Sequence, residues 1–596
     1  MRLLRTVPSR RRTRVRRSDR VPFLELVEPR LLPANMVFIV NSAADPSGPT
    51  PNSVTLRDAI NKVNNDLTDV ASNPDVIKFA ISGTPTITLA ADLPALTAPV
   101  FIDGGESQPG YSGTPLIQID GHRVQGSGLT LSPGFDGSTG SDGSTIRGLD
   151  IYGFSQGAGL LIQSSKNVIE SSYLGTDGTR TIEEPNKVGV VISGTNPLSV
   201  PKSNTFTGCT FSGNSFGVYM SSANSNTFTG CTFSGNSFDG VFMNNVTSNK
   251  FTGCTFSGIT LAGVFMSSAY YNTFTDCAFS ENLFDGVFMS SAYDNTFTDC
   301  AFSGNSVDGV FMDNPTSNKF TGCTFSGNKA DGVYMPSGDS NNFTGCTFTE
   351  NSFDGLEISE SSSNIVTGCT FTGNLDDGVY MSSANSKSDS NTFTGCNFTG
   401  NSVDGLEISG SSSNTVTGCT IAGNNNAGIV ISSMSKYNVI DENDIGTPSN
   451  GSSTQLAGIL INDSINNTIG GTTAGSTTPA NVIGGNNVGI EITGFNSLLT
   501  GGNVIEGNCI GVTEDRSPIG NYYGIWINDV PNNLIGGTAK GAGNTISDNK
   551  WAGVYISGHD ATGNLVEGNS ILGSNNKGTK TDPTNPLPVG VFIQNS

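Results

Sequence analysis

Two rows of side chains capable of chemistry recur through the middle of this 596-residue chain. Asp239, Asp285, Asp308, Asp331, Asp354, Asp377 and Asp404 each stand immediately before a glycine. Three positions after these come Phe242, Phe288, Phe311, Tyr334, Glu357, Tyr380 and Glu407, and the same row includes Tyr219 and Phe265. It resumes at Trp526, Tyr555 and Phe592. An exposed aromatic row marks a binding surface, and flat rings spaced along a groove suit sugar rings. Tyr219, Phe242, Phe265, Phe288, Phe311, Tyr334, Tyr380, Trp526 and Tyr555 are therefore the candidate ligand-binding residues. Carboxylates one strand apart repel by ~1 kcal/mol in water. Such a row is expected to splay into solvent, or to recruit Ca²⁺ through Asp285, Asp308 and Asp331, since calcium takes several carboxylate and carbonyl oxygens.

A third grouping, Glu514-Asp515-Arg516 with Tyr522, Tyr523 and Trp526, puts acids, a cation and aromatics on one long corner. Asp515 and Arg516 are the candidate catalytic pair. Elsewhere the chain is poor in catalytic types. It has two histidines, His122 and His559, and no arginine between Arg180 and Arg516, which excludes an arginine-based lyase site on the regular block. A glycosidase needs one protonated carboxyl beside one ionised carboxylate, whereas identical acids in every repeat read as a ladder.

The elements that carry these rows come from a 23-residue unit. One copy, NTFTDCAFSENLFDGVFMSSAYD, starts at Asn272, and the next starts at Asn295. Each unit holds three short alternating stretches, N-T-F-T, C-T-F-S and G-V-F-M, and period-two alternation signals strands. Glycine and asparagine between them tolerate φ > 0 and make corners. Repeats of this length stack, because no single unit buries its own apolar face. The glycine of the third stretch recurs 17 times between Gly159 and Gly590, and strands ~4.8 Å apart then form a rod roughly 80 Å long. After Gly428 the spacing lengthens to 29–37 residues, so the corners there are longer. Val241 and Met243, and the Phe206 and Phe211 columns, point inward, with an asparagine column from Asn214 to Asn424 at one corner. Ten cysteines, Cys209 to Cys419, form another column, which reads as buried free thiols because in-register neighbours point their Cβ atoms the same way.

The first 20 residues hold nine arginines and one aspartate, a local charge of +8 in a chain of net charge −22, leaving −30 on the other 576 residues. So acidic a body repels phosphate, which argues against nucleic acid. No 18-residue apolar stretch exists to span a membrane. The basic run suits an export signal of atypical form, because VPFLELVEP lacks the usual apolar core. Thr55 to Asn64 reads as a capped amphipathic helix, with Thr55 and Asp58 as a capping-box variant.

The segment Phe23-Leu24-Glu25-Leu26-Val27-Glu28-Pro29-Arg30-Leu31-Leu32-Pro33 resembles the N-terminal LExLExRxLP-type motif of bacterial exported and surface proteins, with Val27 where the motif has its second leucine. In that group the motif follows a basic run and precedes right-handed parallel β-helix repeats. The resemblance extends through Phe38-Ile39-Val40-Asn41, Thr86-Ile87-Thr88-Leu89, Ile102-Asp103-Gly104 and Asn467-Thr468-Ile469-Gly470-Gly471. It implies a bacterial protein that is secreted or on the cell surface.

The fold expected is all-β: a single-stranded right-handed parallel β-helix with three strands per coil, about 17 coils and a short N-terminal capping helix. Residues 1–35 form the basic tail, 36–140 the cap and first coils, 141–440 the regular repeats and 441–596 the coils with longer corners. The function expected is a non-catalytic structural or polysaccharide-contacting role, with a polysaccharide or cell-envelope component as partner and no required cofactor beyond a possible calcium. The alternative is a polysaccharide lyase or glycoside hydrolase of the pectate-lyase-like class.

Overall fold

Alternating residues dictate the cross-section. In the regular coils Phe, Cys, Phe, Val or Leu, and Met or Ile turn into a narrow tube, and Thr, Ser and the third-strand aromatics turn out. The computed structural model describes residues 35–594 except 47–51, 67–69, 106–107, 109, 112, 135–139, 177–184, 195–199, 385–389, 447–454, 472–479, 495–500 and 573–588. Residues 1–34 lie outside the described part, and with them nearly all of the basic tail and the whole LExLExRxLP-like motif.

Among the described residues, three parallel sheets of 20, 19 and 18 strands run along the stack. The first contains Thr205–Thr207, the second Thr210–Ser212 and the third Phe216–Ser221, each paired in register with the next coil. The third sheet begins one strand earlier than the 17 glycine-marked ones, at Leu129–Leu131. The chain from Asn35 onward forms one compact unit. Strand pairing runs through residues 140 and 440 without a break, Phe101 pairing with Thr145 and Thr415 with Val439. The fold is a right-handed parallel β-helix.

Like residues stack on like. Phe206, Phe228, Phe251, Phe274 and Phe297 lie with centroids 4.5–4.7 Å apart and planes within 5°. The Phe211 column stands beside it, also stacked. Offset stacking adds to burial, and every one of these rings is fully enclosed.

All three corners carry hydrogen-bonded ladders. Asn167, Asn204, Asn226, Asn249 and Asn272 follow one another in one column, and from Asn204 on each Oδ1 accepts both the backbone N–H and the Nδ2–H of the preceding asparagine. The Asn282–Asn305–Asn328 column does the same at a second corner. The cysteines occupy the third. Cys396 N donates to Cys419 Sγ at 3.3 Å, Cys419 N to Asn443 Oδ1 at 2.9 Å, and Asn443, Asn481 and Asn508 carry the ladder on. All ten ladder cysteines are buried and free. A glycine opens each third strand because the next coil lies against it: a Cβ at Gly309 would meet Gly332 O at 2.5 Å.

At the N-terminal end, the helix Leu56–Asn65 starts at a complete capping box between Thr55 and Asp58. It buries Leu56, Ala59, Ile60 and Val63 against the first coils. No helix among the described residues is long and apolar enough to cross a membrane.

Candidate functional site

The outward row of the third sheet is half-buried. From Tyr219 through Phe242, Phe265 and Phe288 to Phe311 the rings are stacked, with centroids 4.8–5.1 Å apart and planes within 16°. This corrects the expectation of separate flat rings. In-register pairing at one-strand spacing presses each face on its neighbour, so the column shows ring edges to solvent. The stack breaks at Tyr334, whose ring stands at 77° to Phe311. The register shifts there, just past the Phe311–Tyr334 pair. Beyond the break the row alternates: Tyr334 pairs with Glu357, Glu357 with Tyr380 and Tyr380 with Glu407. Further along, Trp526 and Tyr555 stack at 5.9 Å, joined by Tyr523 and edge-on by Trp551, which the sequence pattern did not single out.

The aspartates do not splay outward. All seven are 1–7% exposed. Each precedes the strand glycine, outside the alternation, and turns along the stack so that its Oδ1 accepts a backbone N–H from the next coil. Asp308 N donates to Asp285 at 3.1 Å, Asp331 N to Asp308 at 3.0 Å, Asp354 N to Asp331 at 2.8 Å and Asp377 N to Asp354 at 2.9 Å. Burial pushes their carboxyls up, to about 7 for Asp285 and Asp308, about 8 for Asp331 and Asp377, and about 9 for Asp354, where Asp377 and Asp331 add repulsion. The column ends, Asp239 and Asp404, reach about 6.

The expected calcium residues Asp285, Asp308 and Asp331 stand in consecutive coils of this column. Carboxylate oxygens converge to within 4.8 Å slightly further on, in the sets Asp331–Asp354–Glu357, Asp354–Asp376–Asp377 and Asp377–Asp404–Glu407. Glu357 and Glu407 are raised by burial and hold Ser359 and Ser432 hydroxyls at 3.0 Å. Tyr334 and Tyr380 are raised by burial and by these glutamates.

The residues grouped with Arg516 make different contacts. Asp515 is committed to its own turn, accepting from Thr513 Oγ1 and from Ser517 N, bonds that hold its carboxyl below the usual range. Glu514 instead lines a groove of about 320 Å³ with Glu442, Asp444, Thr420 and Asn443. No aromatic lines that groove; Tyr523 and Trp526 lie on the third sheet. Of the two histidines, His122 pairs with Asp120 at 2.7 Å and exposed His559 with Asp560 at 2.8 Å.

No curated protein sequence matches the chain. Among solved structures, the fold is similar to the Azotobacter vinelandii mannuronan C-5 epimerase AlgE4 A-module, at 10% identity over 57% of this chain and 89% of that one, TM-score 0.38. It is similar also to the periplasmic alginate epimerase AlgG, at 13% identity over 60% and 84%, TM-score 0.35, and to pectate lyase Pel9A, at 14% over 66% and 80%, TM-score 0.27. A family model described as periplasmic copper-binding protein (NosD) matches residues 281–388. The model of the right-handed β-helix region matches residues 134–282, 198–329 and 385–518, together more than half of the sequence. With its three in-register sheets and laddered corners, the chain belongs to the right-handed β-helix family.

Proposed function

We propose that this is an exported, non-catalytic β-helix protein that contacts a polysaccharide or another cell-envelope component along the outer face of its third sheet. The observation that carries the reading is the segment Tyr334–Glu357–Tyr380–Glu407, where the aromatic stack opens and rings alternate with carboxylates on one continuous face. Rings supply platforms for sugar C–H faces, and carboxylates with serine hydroxyls accept and donate to sugar hydroxyls. The periplasmic assignment of the NosD model agrees with export. Copper does not carry over with it. Residues 281–388 contain no histidine, and their soft donors Cys300, Cys323, Cys346, Cys369, Met289, Met312, Met335 and Met381 are all sealed in the core.

The test is a glycan array probed with the full chain. Binding that is lost in Tyr334→Ala/Tyr380→Ala supports the reading, and no binding to any glycan contradicts it.

One observation favours the enzymatic alternative, the groove that gathers Glu442, Asp444 and Glu514. Burial raises Asp444, as a general acid requires. Glycan cleavage that disappears in Glu514→Gln or Asp444→Asn would establish it; cleavage that depends on Asp515 or Arg516 would place the chemistry on the neighbouring turn.

A further inference from the structure

We propose that the polymer seated on the Tyr334–Glu407 face is cationic: a polysaccharide of amino sugars whose protonated amines lie between the tyrosine rings and the glutamate carboxylates. This rests on the polysaccharide-contacting reading above and names its ligand class.

Charge complementarity is the first argument. The chain carries −22, and this face presents the half-buried carboxyls of Glu357, Asp376 and Glu407, whereas Asp331, Asp354 and Asp377 are buried behind it and, raised to about 8, 9 and 8, add little charge near neutral pH. Among the described residues no ion pair joins any of them to a lysine or arginine. Lys329, two residues before Asp331, is the nearest cation in sequence and makes no such pair. An anionic polymer laid here meets a glutamate at every second coil, whereas a polymer of ammonium groups supplies a counter-charge that no described lysine or arginine provides.

The ring geometry is the second argument, independent of charge. In the earlier coils ring faces are covered by their neighbours. Tyr334 meets Phe311 at a steep angle, and Tyr380 has no ring partner among the described residues; its strand neighbours on both sides are glutamates. A ring flanked by carboxylates is a site for an ammonium, held by cation–π attraction on one side and a charge-assisted hydrogen bond on the other. Tyr334 and Tyr380 lie two coils apart, so a ligand reaching both is a repeating polymer rather than a single sugar. At the adjoining corner Phe353 and Leu375 are 54% and 62% exposed, an apolar border for pyranose rings.

The experiment measures binding of the full chain, at mildly acidic pH where the chitosan amines are protonated, to three oligosaccharides of equal length: chitosan, its N-acetylated form and oligogalacturonate. Chitosan is expected to bind about tenfold or more tighter than the acetylated form, a difference of about 1.4 kcal/mol. Glu357→Gln/Glu407→Gln should abolish that preference while leaving the fold, read by circular dichroism, unchanged. Tyr380→Ala should weaken chitosan binding in either background. Equal or tighter binding of the acetylated or acidic oligomer, lost in Tyr380→Ala, overturns the cationic assignment and leaves the polysaccharide reading standing. Chitosan preference that survives Glu357→Gln/Glu407→Gln also overturns it, because general attraction to an acidic protein then explains the result. Failure of all three to bind overturns the polysaccharide reading itself.

Discussion

The aspartate column shows how one residue's position decides its chemistry. A folded carboxyl with a raised pKa binds its proton more tightly than the unfolded one, whose ordinary value is 3.8. Its stabilising contribution is therefore fully present below about pH 4 and is lost as pH rises through the folded values of about 6 to 9. In that window each carboxyl that is protonated only when folded costs ~1.4 kcal/mol per pH unit. The melting temperature should fall steadily from pH 5 to pH 9, and Asp354→Asn, which keeps the Oδ1 acceptor, should flatten the slope. A pH-independent melting temperature over that range would show that the column is not protonated. Calcium is a rival counter-charge. At alkaline pH, millimolar Ca²⁺ should raise the melting temperature more than NaCl of matched ionic strength, and Asp285→Asn/Asp308→Asn/Asp331→Asn should remove the difference. The aspartates were legible as a row, but their inward turn was not. Alternation assigns direction only within a strand, and these residues precede it.

The corner ladders dominate at the scale of the strand and its turn. Asn318 accepts from Asn295 N and Nδ2 and donates to Ala292 O and Asn341 Oδ1, all buried. Asn318→Ala orphans several groups and should cost about 1–3 kcal/mol for each one left unpaired. Outward Thr298→Ala should stay within about 0.5 kcal/mol. Denaturant unfolding of the two variants separates these outcomes. The cysteines belong to the same logic, as thiols standing where later coils use Asn443, Asn481 and Asn508. Thiol reagents should react slowly with the native ladder and with most of its ten cysteines after unfolding; rapid native labelling would contradict the burial. The repeat made the three strands, the inward columns and one asparagine ladder readable. The ladder running through Asn204 escaped notice because its asparagine opens N-T-F-T and reads as the start of a strand. The equivalence of cysteine and asparagine needs the coils beyond residue 440 aligned in space, where inserted corners break the period.

Across the whole stack, perfect repetition and its interruption play different parts. Regular coils bury uniform columns and present covered rings, which are stable and chemically monotonous. Distinct chemistry arises where the repeat falters. The register shift after Phe311 uncovers Tyr334, and glutamate replaces aromatics at 357 and 407. Inserted corners bring Glu514 to Glu442 and Asp444. That gathering joins residues 70 and 72 positions apart, so no local pattern could announce it, whereas the Tyr–Glu alternation was visible in the row itself. The most direct test is residue-level footprinting of the full chain with and without a bound polysaccharide, reading side-chain oxidation of the tyrosines. Protection should be confined to the third-sheet face, at Tyr334 and Tyr380, with exposed Tyr437 and the stacked Tyr270–Tyr293 pair at an early corner unchanged. Protection instead along the groove of Glu442, Asp444 and Glu514, with Tyr334 and Tyr380 still freely oxidised, would contradict it.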